Sequence, residues 1–281
     1  MRIGVVCPSS LIDTKCLTEG MRGFRAGEPD TVLGKSCFGY LSPKERAEEL
    51  YAMEALCDVL ICARGGSGSF QMQKYLSRGI RIPVVGYSDI TFLLLWQHVH
   101  SEKAIHGPMV LDLSKDAESM AMLRNFIHDE IVYPFTYPKT MKHLTLIPGK
   151  AAGRILAANL SLLMPCLSYF GHTVLNDTIL FLEDVHESVD SLERYLWTLS
   201  NLPSFSGVNG IVFSAFTETR RGSNPYYLGT LLQTFAEEFA KPCFIGFPAY
   251  HGSYRKMSLP IGAAVEIDSV QGNVTLLESG G

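Results

Sequence analysis

Paired cysteines, a basic stripe and long apolar runs are all missing from this chain of 281 residues. Its seven cysteines, at positions 7, 16, 37, 57, 62, 166 and 243, are an odd number and contain no C-x-x-C pair. That argues against a disulfide framework and a zinc knuckle, and it fits free thiols in a reducing compartment. Lysine and arginine number 24 against 28 acids, for a net charge of −4, with a sequence pI of about 6.1. The basic residues are scattered, so no surface for a phosphate backbone is expected and nucleic acid is not an expected partner. The longest apolar run, around residues 90–96, is far too short to span a bilayer, so no membrane partner is expected. The amino terminus enters an apolar strand after one basic residue, without a signal-length apolar region or an A-x-A site. The expectation is a soluble, cytoplasmic protein without repeats or low-complexity tracts.

The 47% hydrophobic content is that of an ordinary globular protein, and the length suits two packed domains. Two apolar runs carry the most information. Val59-Leu60-Ile61 feeds Ala63-Arg64-Gly65-Gly66, and Ile82-Pro83-Val84-Val85 feeds Gly86-Tyr87-Ser88-Asp89. Continuous apolar runs, unlike alternating ones, mark parallel strands covered on both faces. With a strand over 2–7 and a helix over 42–57 that has Pro43 at its first position, they predict a doubly wound, mostly parallel α/β domain over 1–115. Residues 116–150, rich in charge and in Tyr-Pro pairs, read as a connection. Over 151–281 the apolar segments shorten: strands at 179–182, 210–213, 243–245, 263–267 and 274–276, and helices at 192–199 and 226–240. The last two strands alternate, which predicts a one-sided, barrel-like sheet with helices.

A strand that stops at glycines and turns straight into a helix presents backbone N–H groups and one side chain at a sheet edge, which is how a serine nucleophile and its oxyanion donors are built. That singles out Ser88, although Ser88 or Asp89 would equally serve as the cap of the helix over 92–98. A serine hydroxyl needs a base, and the base an orienting carboxylate. His251, in a Pro- and Gly-rich loop, is the candidate base; His98, His100 and His106 compete on position. Glu183, closing the strand at 179–182, is the candidate carboxylate, with Asp184 and Glu187 beside it. Gly65 and Gly66 let the backbone approach a substrate, and Gly66 and Asp89 would donate N–H groups to an oxyanion. A phosphate cradle at residues 65–69 is the rival reading, but the G-x-G-x-x-G spacing and the P-loop lysine are absent.

Taken in order, these segments resemble the LD-carboxypeptidase family of serine peptidases, which includes murein tetrapeptide carboxypeptidases and microcin C self-immunity hydrolases. The similarity runs through Val5-Val6-Cys7-Pro8-Ser9-Ser10, Gly39-Tyr40-Leu41 with Glu45-Arg46-Ala47, Ala63-Arg64-Gly65-Gly66, Gly86-Tyr87-Ser88-Asp89-Ile90-Thr91 and His106-Gly107-Pro108-Met109. It continues through Asn159-Leu160-Ser161, Leu182-Glu183-Asp184-Val185 with Glu187 and Arg194, Gly246-Phe247-Pro248 with His251-Gly252, and Leu259-Pro260-Ile261-Gly262. The resemblance implies a triad of Ser88, Glu183 and His251, with the serine on the sheet domain and the other two on the carboxy-terminal domain. It also implies a homodimer and a small peptide or muropeptide substrate whose bond to a terminal D-alanine is cleaved in cell-wall recycling.

Acyl transfer by such a triad requires neither metal nor organic cofactor. A carboxylate at the end of the substrate calls for a cation, and Arg64 and Arg194 are the candidates by placement, each also suited to pairing with a nearby acid. Three departures from the family pattern bear on substrate fit: Ser67 in place of an aromatic residue, Ala157-Ala158 in place of a glycine pair, and a short segment between Ser10 and Gly39. The alternative reading is a peptidyl- or aminoacyl-nucleotide hydrolase of the microcin C self-immunity type. It would need an aromatic platform, whereas both tryptophans, Trp96 and Trp197, lie in apolar helical patterns. A reading of another class is a non-catalytic nucleotide- or sugar-binding module.

Overall fold

The computed structural model describes residues 1–25, 30–220, 227–252 and 255–278. The chain divides into two compact units, one formed by Met1–Ile131 with Ser253–Ile261 and the other by Val132–Gly252 with Gly262–Gly280. In chain order the first unit contributes β1 (Ile3–Val6), α1 (Thr14–Arg25), β2 (Thr31–Leu33), α2 (Pro43–Glu54), β3 (Val59–Cys62), β4 (Val84–Gly86), α3 (Thr91–Val99), β5 (Ala104–His106), α4 (Val110–Leu113) and α5 (Ala117–Ile127). The second contributes β6 (Phe135–Thr136), β7 (Leu144–Ile147), β8 (Lys150–Asn159), α6 (Leu160–Phe170), β9 (Thr178–Val185), α7 (Val189–Ser200), β10 (Val208–Thr217), α8 (Leu228–Phe239) and β11 (Cys243–Ile245). Then β12 (Leu259–Pro260) belongs to the first unit, and β13 (Ala264–Asp268) and β14 (Asn273–Leu276) to the second.

The first sheet runs β12-β5-β4-β3-β1-β2, parallel from β5 to β2, with β12 antiparallel on β5. Every residue of β1, β3, β4 and β5 is buried, as the continuous apolar runs require of strands covered on both faces. The strand order reverses between β1 and β3, and in open α/β sheets ligands gather beyond the carboxyl ends of the strands at such a point. The turns at those ends are Pro8-Ser9-Ser10, Ala63-Arg64-Gly65-Gly66 and Tyr87-Ser88. Helix α2 starts where the sequence places it, because Ser42 and Glu45 form a reciprocal capping box ahead of Pro43. Among the described residues between Ser10 and Gly39 there are one helix, α1, and one strand, β2, beside a short 3-10 turn at Lys35–Cys37.

The second sheet runs β6-β14-β13-β8-β9-β10-β11-β7, parallel from β8 to β11 and antiparallel at both flanks. Strands β13 and β14 alternate as read: Val265, Ile267, Val274 and Leu276 are buried while Glu266 is exposed. Phe181, Phe213, Phe235 and Phe244 are fully buried in this unit, each worth about 1.5–3 kcal/mol over exposure. Residues 116–150, read as a connection, hold α5, β6 and β7, and residues 253–261 join the first unit. The helix read over 226–240 is α8, Leu228–Phe239, and Tyr226 lies outside the described residues. No described helix is long and apolar enough to cross a membrane.

Candidate active site

Strand β4 ends at Gly86, and the chain turns through Tyr87 into a 3-10 turn, Ser88–Ile90, that leads into α3. Ser88 is half-buried and takes φ +64°, a left-handed conformation that a residue with a Cβ adopts at a cost of about 1–3 kcal/mol and keeps only where its surroundings hold it. Neither Ser88 nor Asp89 caps α3, whose N-cap is Ile90. The capping alternative therefore fails, because the interposed turn moves both residues away from the helix start.

The side chain of Asp89 pins the elbow instead. Its Oδ2 accepts from Ser9 Oγ at 2.5 Å and from the amide of Ser69 at 2.8 Å, and Ser69 Oγ donates to the Asp89 carbonyl. Gly65 packs so closely that a Cβ there would stand 2.7 Å from Ser88 Cβ and 2.8 Å from Ser88 Oγ. Gly66 has φ +120°, and Ser10 Oγ accepts from the following amide, Ser67 N, at 3.0 Å. Behind these turns lies Arg46, 5% exposed, donating to the carbonyls of Pro8 at 2.6 Å and Ser9 at 3.1 Å and to Gln71 Oε1 at 3.3 Å. The E-R-A segment thus ties the turn that follows β1 to Gln71 in the 3-10 segment Ser69–Lys74. Burial holds the Arg46 guanidinium below its usual pKa.

In the second unit, Glu183 lies near the end of β9, 1% exposed, and its Oε2 is 2.6 Å from Nδ1 of His251. The route by which His251 reaches it is visible in the packing. Phe181 and Glu183 are two residues apart on β9 and so share a face. Phe247 packs edge-on against Phe181, with ring centroids 5.3 Å apart, and against Tyr137 at 5.2 Å. Gly246 makes the bend before it at φ +113°, where a Cβ would stand 2.4 Å from the carbonyl of Lys142.

Asp184, on the opposite face of β9, is structural. It accepts from Asn159 Nδ2 at 2.9 Å and from the amides of Ser161 and Val185, each at 2.8 Å, while Asn159 Oδ1 caps α6 through Leu162 N. The N-L-S and L-E-D-V segments therefore meet. Burial pushes the Asp184 carboxyl up to about 6, against the bonds from Ser161 and Val185 that favour its ionised form. Sequence reasoning missed this role, and those of Asp89 and Arg46; the signal was that each lies inside a segment already singled out.

The remaining candidates fall as follows. Arg64 Nε donates to the Gly65 carbonyl at 3.2 Å and Arg64 Nη1 to that of Leu11 at 3.5 Å. Arg194 is exposed on α7, its Nη2 3.2 Å from Ser191 Oγ. Glu187 is half-buried beyond the end of β9, its carbonyl accepting from Arg220 N at 3.0 Å. His100 bonds the Trp96 carbonyl at the outer end of α3, and His106 is buried in β5. Among the described residues, no group of His, Cys, Asp and Glu is placed to hold a metal ion.

A serine on a tightly held left-handed elbow and a buried glutamate bonded to a histidine are the parts of a serine hydrolase. The LD-carboxypeptidase N-terminal domain profile matches residues 3–107 and the C-terminal domain profile residues 152–267. The chain belongs to the LD-carboxypeptidase family and is a serine carboxypeptidase. It is 27% identical over 278 residues to the murein tetrapeptide carboxypeptidase of Pseudomonas aeruginosa, covering 91% of this chain and 89% of that protein. In fold it resembles the microcin self-immunity protein MccF in complex with glutamyl sulfamoyl guanosine, with a TM-score of 0.87, 19% identity, and coverage of 99% of this chain and 96% of that one. The muramoyltetrapeptide carboxypeptidase of Oxalobacter formigenes gives a TM-score of 0.77 at 20% identity, covering 98% of each chain.

Proposed function

We propose that the protein hydrolyses the bond between the L-centre of a diamino acid and the terminal D-alanine of a murein tetrapeptide, with Ser88 as nucleophile, His251 as general base and acid, and Glu183 as its orienting carboxylate. The observation that carries this reading is the 2.6 Å contact between His251 Nδ1 and Glu183 Oε2. A carboxylate on Nδ1 places the ring proton there and leaves Nε2 basic, the tautomer that takes a hydroxyl proton. In the first step Nε2 accepts the Ser88 proton as Oγ bonds to the scissile carbonyl carbon, and Glu183 stabilises the imidazolium. Backbone N–H groups of Gly66 and Asp89 receive the oxyanion. The imidazolium then gives its proton to the departing amine of D-alanine as the C–N bond breaks, and water repeats the sequence to free the acyl group and Ser88.

The nucleotide-conjugate alternative is less well supported. Trp96 is 6% exposed and stacks on His100, with ring centroids 4.4 Å apart, and Trp197 packs edge-on against the buried Phe235 at 5.7 Å. Trp96 is thus engaged at the end of α3, and Trp197 with Phe235 of α8. The test is D-alanine release from a purified tetrapeptide, run beside a pentapeptide and a peptidyl-adenylate analogue with Ser88→Ala as the blank. Release from the tetrapeptide alone supports the proposal, and cleavage of the conjugate alone overturns it. A homodimer and a cytoplasmic location accompany this reading; light scattering and cell fractionation test them.

A further inference from the structure

Ser88 holds its left-handed conformation between two constraints. After it, Asp89 is fixed by Ser9 and Ser69. Before it stands Tyr87, 4% exposed, with extended backbone at φ −153° and ψ −171°. The Nζ of Lys256 lies 5.4 Å from the Tyr87 ring centroid, and the His106 ring is 6.0 Å away. Lys256 and Asp112 each have only 4% of the side chain exposed, and Lys256 Nζ is 3.2 Å from Asp112 Oδ1. Lys115 Nζ stands 3.5 Å from the same oxygen, at a side-chain exposure of 39%.

The backbone around Lys256 is held independently of that ammonium. Its amide donates to Ser119 Oγ at 2.7 Å, Arg255 pairs with Asp116 at 3.5 Å and with Glu118, and β12 follows on the edge of the sheet. An apolar side chain would fill the position at lower desolvation cost, since burying an ion pair is often no better than an apolar replacement. What an ammonium adds is a directional attraction to an aromatic face.

We propose that Lys256 is a positioning residue for the nucleophile: anchored by Asp112, its ammonium fixes the Tyr87 ring and thereby the backbone that enters Ser88. The inference rests on Ser88 being the nucleophile. Lys256 acts through Tyr87 and takes no part in proton transfer.

The test is the second-order rate at which a fluorophosphonate probe labels Ser88, read with kcat and KM on the tetrapeptide and the thermal midpoint. The variants are K256M/D112L, which removes the buried ion pair and leaves only the part-exposed Lys115 without its contact to Asp112, K256R, and the pair Y87L and Y87F. Labelling and kcat are expected to fall roughly ten- to a hundred-fold in K256M/D112L with KM little changed, because small misplacements of a reacting group cost that much. K256R, which retains a cation over the ring, should recover most of the rate, and Y87L should lose far more than Y87F. Wild-type labelling rates in Y87L or in a folded K256M/D112L overturn the inference. Should the double variant fail to fold, K256Q, which keeps a polar group facing Asp112 but no cation over the ring, takes its place: the same loss is expected, and labelling at the wild-type rate overturns the inference. A wild-type protein that the probe does not label refutes the Ser88 reading itself, an outcome distinct from equal labelling of all variants.

Discussion

His251 Nδ1 and Glu183 Oε2 are 2.6 Å apart, and the glutamate side chain is 1% exposed while the histidine side chain is 18% exposed. The pair is therefore graded from a dry carboxylate to a ring with access to solvent, which suits the proposed roles of orienter and base. Glu183→Gln keeps the shape but lets the amide nitrogen face Nδ1, which favours the wrong tautomer. The expected loss in kcat is about 10⁴-fold with KM little altered, by analogy with the Asp→Asn exchange in a serine protease triad. D-alanine release against substrate concentration measures it.

Gly65 is the position where one methyl group should silence Ser88, the proposed nucleophile. Its Cβ would stand 2.7 Å from Ser88 Cβ and 2.8 Å from Oγ, closer than non-bonded atoms tolerate. Gly65→Ala is expected to cost about 1–3 kcal/mol in stability, as overpacking does. It should also reduce Ser88 labelling by a fluorophosphonate at least as sharply as activity. Labelling at the wild-type rate would refute the close packing of the two turns.

Asp184 supplies a pH signature. Its pKa is raised from 3.8 to about 6 in the fold, so between those values the native state holds a proton there that the unfolded chain has released. The contribution of that group is present in full below about 3.8 and is lost as pH rises through about 6, a total of roughly 3 kcal/mol at 1.36 kcal/mol per unit. Asp184→Asn removes the titration while keeping one acceptor for Ser161 or Val185. The difference in urea-unfolding free energy, wild type minus variant, should fall between pH 4 and pH 7. A flat or rising difference would contradict the buried environment.

The bend at Gly246 sets the loop that carries His251. Gly246→Ala places a Cβ 2.4 Å from the Lys142 carbonyl at φ +113°, so the backbone must move. The expected result is lower stability by about 1–3 kcal/mol and loss of kcat beyond what the fraction unfolded explains. Activity and circular dichroism measured on the same sample separate the two.

Much of this architecture can be read from local pattern. The continuous apolar run at 59–61 gave a buried parallel strand, that at 82–85 gave one whose residues are Val84–Gly86 with Ile82 and Pro83 half-buried before it, and Ser42-Pro43 with Glu45 gave the start of α2. Strand β8 was not legible. Its first half, Lys150 to Arg154, consists of small and charged residues that alternate between exposed and half-buried, and only its second half is buried. Its partners β9 and β13 supply the order that its own residues do not. The return of Leu259–Pro260 to the first sheet was equally hidden, since a two-residue edge strand has no periodicity to detect.

By itself the sequence determined where the candidate reactive groups stand along the chain: a serine after Gly-Tyr at the end of one apolar strand, two acids at the end of another, a histidine in a glycine-bounded loop. Local pattern made Glu183 the candidate acid with Asp184 and Glu187 beside it, and the family resemblance favoured Glu183, but neither shows why Asp184 is excluded. Glu183 and Asp184 are neighbours of nearly identical chemistry, but successive residues of a strand face opposite sides of the sheet. Only tertiary structure decides between those sides: Phe247 packs on the Phe181 face and brings His251 to Glu183, while Asn159 and Ser161 claim Asp184 on the other.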